Sequence, residues 1–158
     1  KAYGNHWMEE LDPAMVMSDK EFICHFADIV ARGGNLLLLV NLDAQGAIPK
    51  VQEERMLSIG KWLEKNGEAI YGTRICAPYS TPTVDYTQSK DGKTVYAIVK
   101  EPAKEIALEC ALPENVTVVE NVSGRHLESM RNGRQVVKVR LPFDLALSPL
   151  PLVLKFSF

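Results

Sequence analysis

Ten residues, Arg32-Gly33-Gly34-Asn35-Leu36-Leu37-Leu38-Leu39-Val40-Asn41, constrain the fold of this chain more than any other stretch. They join a helix stop, an apolar run and a polar end. Four leucines and a valine without alternation predict a strand covered on both faces, the habit of parallel sheets flanked by helices. Asn41 and Asp43 then fall just beyond that strand, on the side where parallel sheets and barrels gather their functional groups.

The residues ahead of the run support a helix leading into it. Ser18-Asp19-Lys20-Glu21 is a capping box, in which the Ser18 hydroxyl accepts the Glu21 amide and the Glu21 carboxylate reaches back to the Ser18 amide. Phe22, Ile23, Phe26, Ile29 and Val30 recur at helical steps as one apolar stripe, and Gly33-Gly34 supplies a left-handed stop. Past the run, Asn41 to Pro49 has loop chemistry. A second helix is predicted from Val51 to Asn66, with Met56, Ile59 and Leu63 inward, Trp62 widening that face and Gly67 ending it.

Beyond Tyr71-Gly72-Thr73-Arg74 the period changes from helical to two-residue alternation. The predicted strands are Thr83–Gln88, Thr94–Lys100, Ile106–Leu112, Val116–Val122, Val136–Leu141 and Pro151–Phe158, with Asp91-Gly92 and Asn132-Gly133 as hairpin turns. Ala77 to Pro82 reads as a linker or edge, because each proline removes a ladder donor. Strands at short spacing with no helix between them predict an antiparallel β-sandwich. The expected fold class is therefore α/β followed by all-β, divided into residues 1–74 and 75–158.

Composition narrows function by exclusion. A 158-residue chain with 46% hydrophobic residues and a net charge of -2 offers no basic field for nucleic acid, and no apolar run reaches the roughly 20 residues of a membrane span. No metal site is expected, since His6, His25 and His126 lie far apart and Cys24, Cys76 and Cys110 lack ligand spacing. The three cysteines read as small structural thiols. Glu9-Glu10 and Glu53-Glu54 are adjacent only in sequence, so they make no catalytic dyad. No cofactor is expected.

Three blocks in order carry a resemblance to a known family. Asp28-Ile29-Val30-Ala31-Arg32-Gly33-Gly34-Asn35-Leu36-Leu37-Leu38, then Ile59-Gly60-Lys61-Trp62-Leu63, then Asn66-Gly67-Glu68-Ala69-Ile70-Tyr71-Gly72-Thr73-Arg74, are similar to the end of the catalytic barrel in the α-L-fucosidases of glycoside hydrolase family 29. The sequence departs from the family pattern at Val40-Asn41-Leu42-Asp43 and around Ala2-Tyr3-Gly4-Asn5.

The resemblance implies that residues 1–74 are the last βα portion of a TIM-like barrel and that 75–158 form its C-terminal β-sandwich. It implies a retaining, exo-acting enzyme that removes terminal α-L-fucosyl groups from fucosylated glycans, working in an extracytoplasmic setting that is periplasmic, secreted or lysosomal. Such hydrolysis needs a nucleophile and an acid/base carboxyl about 5–5.5 Å apart. The resemblance puts the nucleophilic aspartate, and the acid/base glutamate of many members, in an upstream barrel segment, so no catalytic residue is assigned here and the chain by itself is expected to be inactive.

Candidate sugar contacts are Trp7, whose ring can stack on a sugar face, then Tyr3 and His6, and Asn41 and Asp43 after the leucine run. Ordinary roles compete: rim packing for Trp7, a solvated loop for His6, and an Asx-turn for Asp43. Glu68 and Arg74 are expected to make an ion pair or cap between domains. The alternative reading is a carbohydrate-binding or interaction sandwich without activity of its own.

Overall fold

The computed structural model describes residues 16–110, 112, 116–120, 122–133 and 135–158. Helix α1 (Asp19–Ala31) begins at the expected capping box, with the Glu21 amide donating to Ser18 Oγ at 3.2 Å and the Ser18 amide to Glu21 Oε2 at 2.9 Å. It ends where Gly33 takes a φ of 80° and the Gly34 amide reaches back to the Ile29 carbonyl. Helix α2 (Lys50–Asn66) follows, and a 3-10 turn (Gly67–Ala69) leads into the strands.

Among the described residues eight strands make two antiparallel sheets. They are β1 (Arg74–Ser80), β2 (Val84–Gln88), β3 (Thr94–Val99), β4 (Glu105–Ala107), β5 (Thr117–Glu120), β6 (Glu128–Asn132), β7 (Gln135–Arg140) and β8 (Leu152–Ser157), with a short helix α3 (Phe143–Ala146) before the last. The five-stranded sheet runs β1-β2-β3-β8-β5 and the three-stranded sheet β4-β7-β6. The two pack as the expected sandwich over one apolar cluster that includes Val95, Ala97 and Val99 of β3, Val136 and Val139 of β7, and Leu152, Leu154 and Phe156 of β8.

The alternate residues on β3 and β8 point the other way. Tyr96, Ile98 and Val153 join Phe22, Ile23 and Ala27 of α1 and Ile59 and Trp62 of α2 in a second cluster. The larger sheet is thus buried on both faces, by the small sheet on one side and by the helices on the other. That burial explains why β3 is almost continuously apolar. Trp62 Nε1 donates to the Pro151 carbonyl at 2.9 Å and Thr87 Oγ1 to the Ala69 carbonyl at 2.7 Å, tying α2 and the 3-10 turn to this face.

Four sequence expectations need correction. The leucine run forms no ladder: residues 34–43 are irregular, and every strand pairing among the described residues is antiparallel. Nor is the run covered on both faces, because Leu36 and Leu38 pack on the helix cluster while Leu37 and Leu39 remain 83% and 69% exposed. A parallel strand acquires its ladder from neighbours, and none of the described strands lies beside it.

Second, the stretch read as a linker contains β1. Its pairing with β2 holds at Arg74↔Gln88 and Ile75↔Thr87, slips, and resumes at Ser80↔Asp85, so Pro78 falls inside the irregularity where no ladder amide is required. Third, β6 was not expected, because Glu-Ser-Met-Arg-Asn lacks β-branched and aromatic residues; it is a mostly exposed edge strand held by β7. The strand expected over Ile106–Leu112 is shorter than its sequence pattern, spanning only Glu105–Ala107.

Candidate functional site

The loop after the leucine run is built by Asp43. Its Oδ1 accepts the amides of Gln45 at 2.9 Å and Ala47 at 2.8 Å, while its own amide donates to the Ala47 carbonyl at 2.8 Å. Gly46 closes the loop with a φ of 81°. Such bonds make Asp43 an Asx-type turn former with an exposed carboxylate. Asn41 is half-buried, and its amide donates to Oε1 of Gln52, a fully buried side chain on α2, at 3.0 Å. The structure therefore places Asn41 and Asp43 on one short loop braced by α2. Trp7, Tyr3 and His6 lie outside the described residues.

Two of the cavities bordered by described residues lie elsewhere. One of about 550 Å³ runs between the end of α1 and the approach to β1, with Asn35, Tyr71, Thr73 and Arg74 as its polar side chains. No carboxylate among the described residues lines it. The other, about 520 Å³, separates α2 from the sandwich and is bordered by Lys61, Lys65, Glu120, Arg125 and Asp144. Here both carboxylates are engaged. Glu120 accepts from the amides of Val122 and Ser123 and from Ser123 Oγ, and Asp144 receives Arg125 Nη1 at 3.1 Å on each oxygen. The Arg125 bond holds the Asp144 carboxyl below its usual value. Among the described residues neither cavity carries two free facing carboxyl groups of the kind glycoside hydrolysis uses.

Other ionisable groups brace the fold. On α1, burial pushes the Asp19 carboxyl up, but Ser58 Oγ at 2.5 Å and Arg55 Nη1 at 2.6 Å overcome that and hold it below its usual value. Asp85 of β2 is fully buried, and burial raises it although Lys100 Nζ stands 2.7 Å away. The same ammonium donates to Ser80 Oγ and the Thr81 carbonyl, pinning the end of β1. Glu68 links the 3-10 turn to the sheet through Lys155 at 2.9 Å and Tyr96 Oη at 3.3 Å, as its expected bridging role requires. Arg74 differs: its Nη1 donates to the adjacent Thr73 carbonyl. Among the described residues no group of three His, Cys, Asp or Glu side chains can hold a metal ion, and no helix is long and apolar enough to cross a membrane.

Comparison with known proteins bears on the same chain. A family model described as alpha-L-fucosidase matches residues 1–68. A plasma alpha-L-fucosidase of Rattus norvegicus is 40% identical over 82 residues, which is 50% of this chain and 18% of that protein. The tissue alpha-L-fucosidase of Homo sapiens is 38% identical over 97 residues, 58% of this chain and 20% of that protein. Among solved structures, a Thermotoga maritima alpha-fucosidase in complex with fucose superposes with a TM-score of 0.84 at 26% identity, over 99% of this chain and 39% of that one. The chain spans about a fifth of the length of the curated relatives it matches.

Proposed function

Because the chain belongs to the α-L-fucosidase family of glycoside hydrolase family 29, we propose that it is the C-terminal portion of a retaining, exo-acting enzyme that hydrolyses terminal α-L-fucosyl linkages in glycans. In this reading residues 1–74 close the catalytic barrel and residues 75–158 are an accessory sandwich. The observation that carries it is the leucine run. Its side chains alternate, with Leu36 and Leu38 on the helix cluster and Leu37 and Leu39 outward, as on a barrel strand without its neighbours. Placed beside the other barrel strands, it gains a ladder and covers its second face.

The nucleophile and the acid/base group are supplied by the upstream segment, and the chain contributes the rim. Asn41 and Asp43, at the polar end of the run, border the fucose pocket together with Tyr3, His6 and Trp7. Asp43 acts there by shaping the loop, since two amides occupy one of its oxygens. The enzyme works on fucosylated glycans in an extracytoplasmic setting, in keeping with relatives described as plasma and tissue fucosidases.

Hydrolysis of an aryl α-L-fucoside tests the assignment. The 158-residue chain alone should show no turnover above the uncatalysed rate, and the protein extended upstream through the barrel should show it. Appreciable turnover by the chain alone contradicts the placement of the catalytic pair, and an inactive extended protein contradicts the activity.

A further inference from the structure

Cys76 and Cys110 are 34 residues apart in sequence, yet their sulfurs approach to 3.5 Å. Cys76 lies on β1, an outer strand of the large sheet, and Cys110 follows β4, an outer strand of the small one. Both sit in the inter-sheet cluster, 8% and 5% exposed. Each is held there by its own element. Cys76 comes directly after the Ile75↔Thr87 pair, at the start of the register shift in β1. The backbone beside Cys110 is fixed by Tyr86, a buried side chain of β2 whose hydroxyl accepts the Glu109 amide at 3.1 Å.

We propose that Cys76 and Cys110 form an intrachain disulfide that staples the edges of the two sheets, leaving Cys24 as a free thiol. An S–S bond is about 2.05 Å long, so the sulfurs close by roughly 1.5 Å, a distance that small side-chain rotations cover. Metal binding does not explain the pair, because no third ligand joins it among the described residues. Cys24 belongs to α1 on the opposite side of the large sheet.

The chemistry is thiol–disulfide exchange with an oxidant of the disulfide class, such as oxidised glutathione. Either thiol can donate to the other across this contact, which outweighs burial and holds Cys76 below the ordinary thiol value, while Cys110 is pushed up. Cys76 therefore loses its proton first, and its thiolate attacks one oxidant sulfur and expels the other as a thiolate. Cys110 then gives up its proton and attacks Cys76 in the mixed disulfide, releasing the second oxidant thiolate. The protein loses two electrons and two protons, and one oxidant disulfide becomes two thiols. Burial places this exchange during folding, before the sheet edges close, and shields the finished bond afterwards.

The test is alkylation of protein refolded with oxidised glutathione and then unfolded in iodoacetamide. One alkylated thiol, Cys24, and a linked peptide pair containing Cys76 and Cys110 are expected. Prior reduction should expose all three thiols and lower Tm by roughly 5–10 °C, as expected when a loop of this length is released. In Cys110→Ala, two thiols should be alkylated and Tm should no longer respond to reductant. Three reactive thiols after oxidation, or a link that uses Cys24, overturns the proposal.

Discussion

The sandwich and the leucine run are both apolar, and they differ in who supplies their hydrogen bonds. β3 lies between β2 and β8, with one face on the small sheet and the other on the helices. The run from Leu36 to Val40 packs Leu36 and Leu38 on the helices, leaves Leu37 and Leu39 exposed, and pairs with none of the described strands. Similar composition thus yields a laddered strand in one place and a segment without a ladder among the described residues in the other. Hydrophobicity specifies that a segment will be buried; its partners decide whether it becomes a strand.

Substitutions on the two sides should diverge sharply. Phe156→Ala on β8 empties a fully buried position in the inter-sheet cluster and should cost about 3–5 kcal/mol, read as a lower denaturant midpoint with an unchanged slope. Lys100→Met leaves the buried Asp85 carboxylate without its counter-charge and frees the end of β1; a loss of about 3 kcal/mol is expected at neutral pH. The loss should shrink in acid, as Asp85 becomes protonated and no longer needs the ammonium.

A smaller effect belongs to the helix brace. Asp19→Asn removes a carboxylate bonded to Arg55 and Ser58 and should cost about 1–2 kcal/mol near pH 7. Its folded-state pKa is lowered, so the stabilisation is fully present above the ordinary value of 3.8 and is lost as pH falls through the lower folded value. Thermal melts of the two proteins should converge in that acidic window. The smallest effect is expected at Leu37→Ser, within about 0.5 kcal/mol, because the side chain already faces solvent. In the upstream-extended protein the same substitution should become costly, and that contrast sharpens the comparison most.

Local rules made much of this legible. Ser18 and Glu21 announced α1, Gly33 its end, and the short β-branched and aromatic run in Thr94–Lys100 a strand that pairs through Asp91-Gly92 with its predecessor. What stayed hidden depends on distant residues. Pro78 argued against β1 because a slip in register cannot be read from one strand, and polar β6 exists because β7 offers an edge. Cys76 and Cys110 looked unrelated for the same reason, as the approach of two sheet edges has no sequence spacing. At the candidate site, Asp43 was readable as a turn former from Gly46 nearby, whereas the bracing of Asn41 by Gln52 comes from the packing of α2.

Amide hydrogen exchange tests the central claim most directly, by following Leu36 to Val40 against Val95 to Val99 in the 158-residue chain and in the upstream-extended protein. The account predicts fast exchange of the leucine run in the chain alone, slow exchange in the extended protein, and slow exchange of β3 in both. A leucine run that is protected in the chain alone, or still unprotected in the extended protein, would contradict its role as a barrel strand.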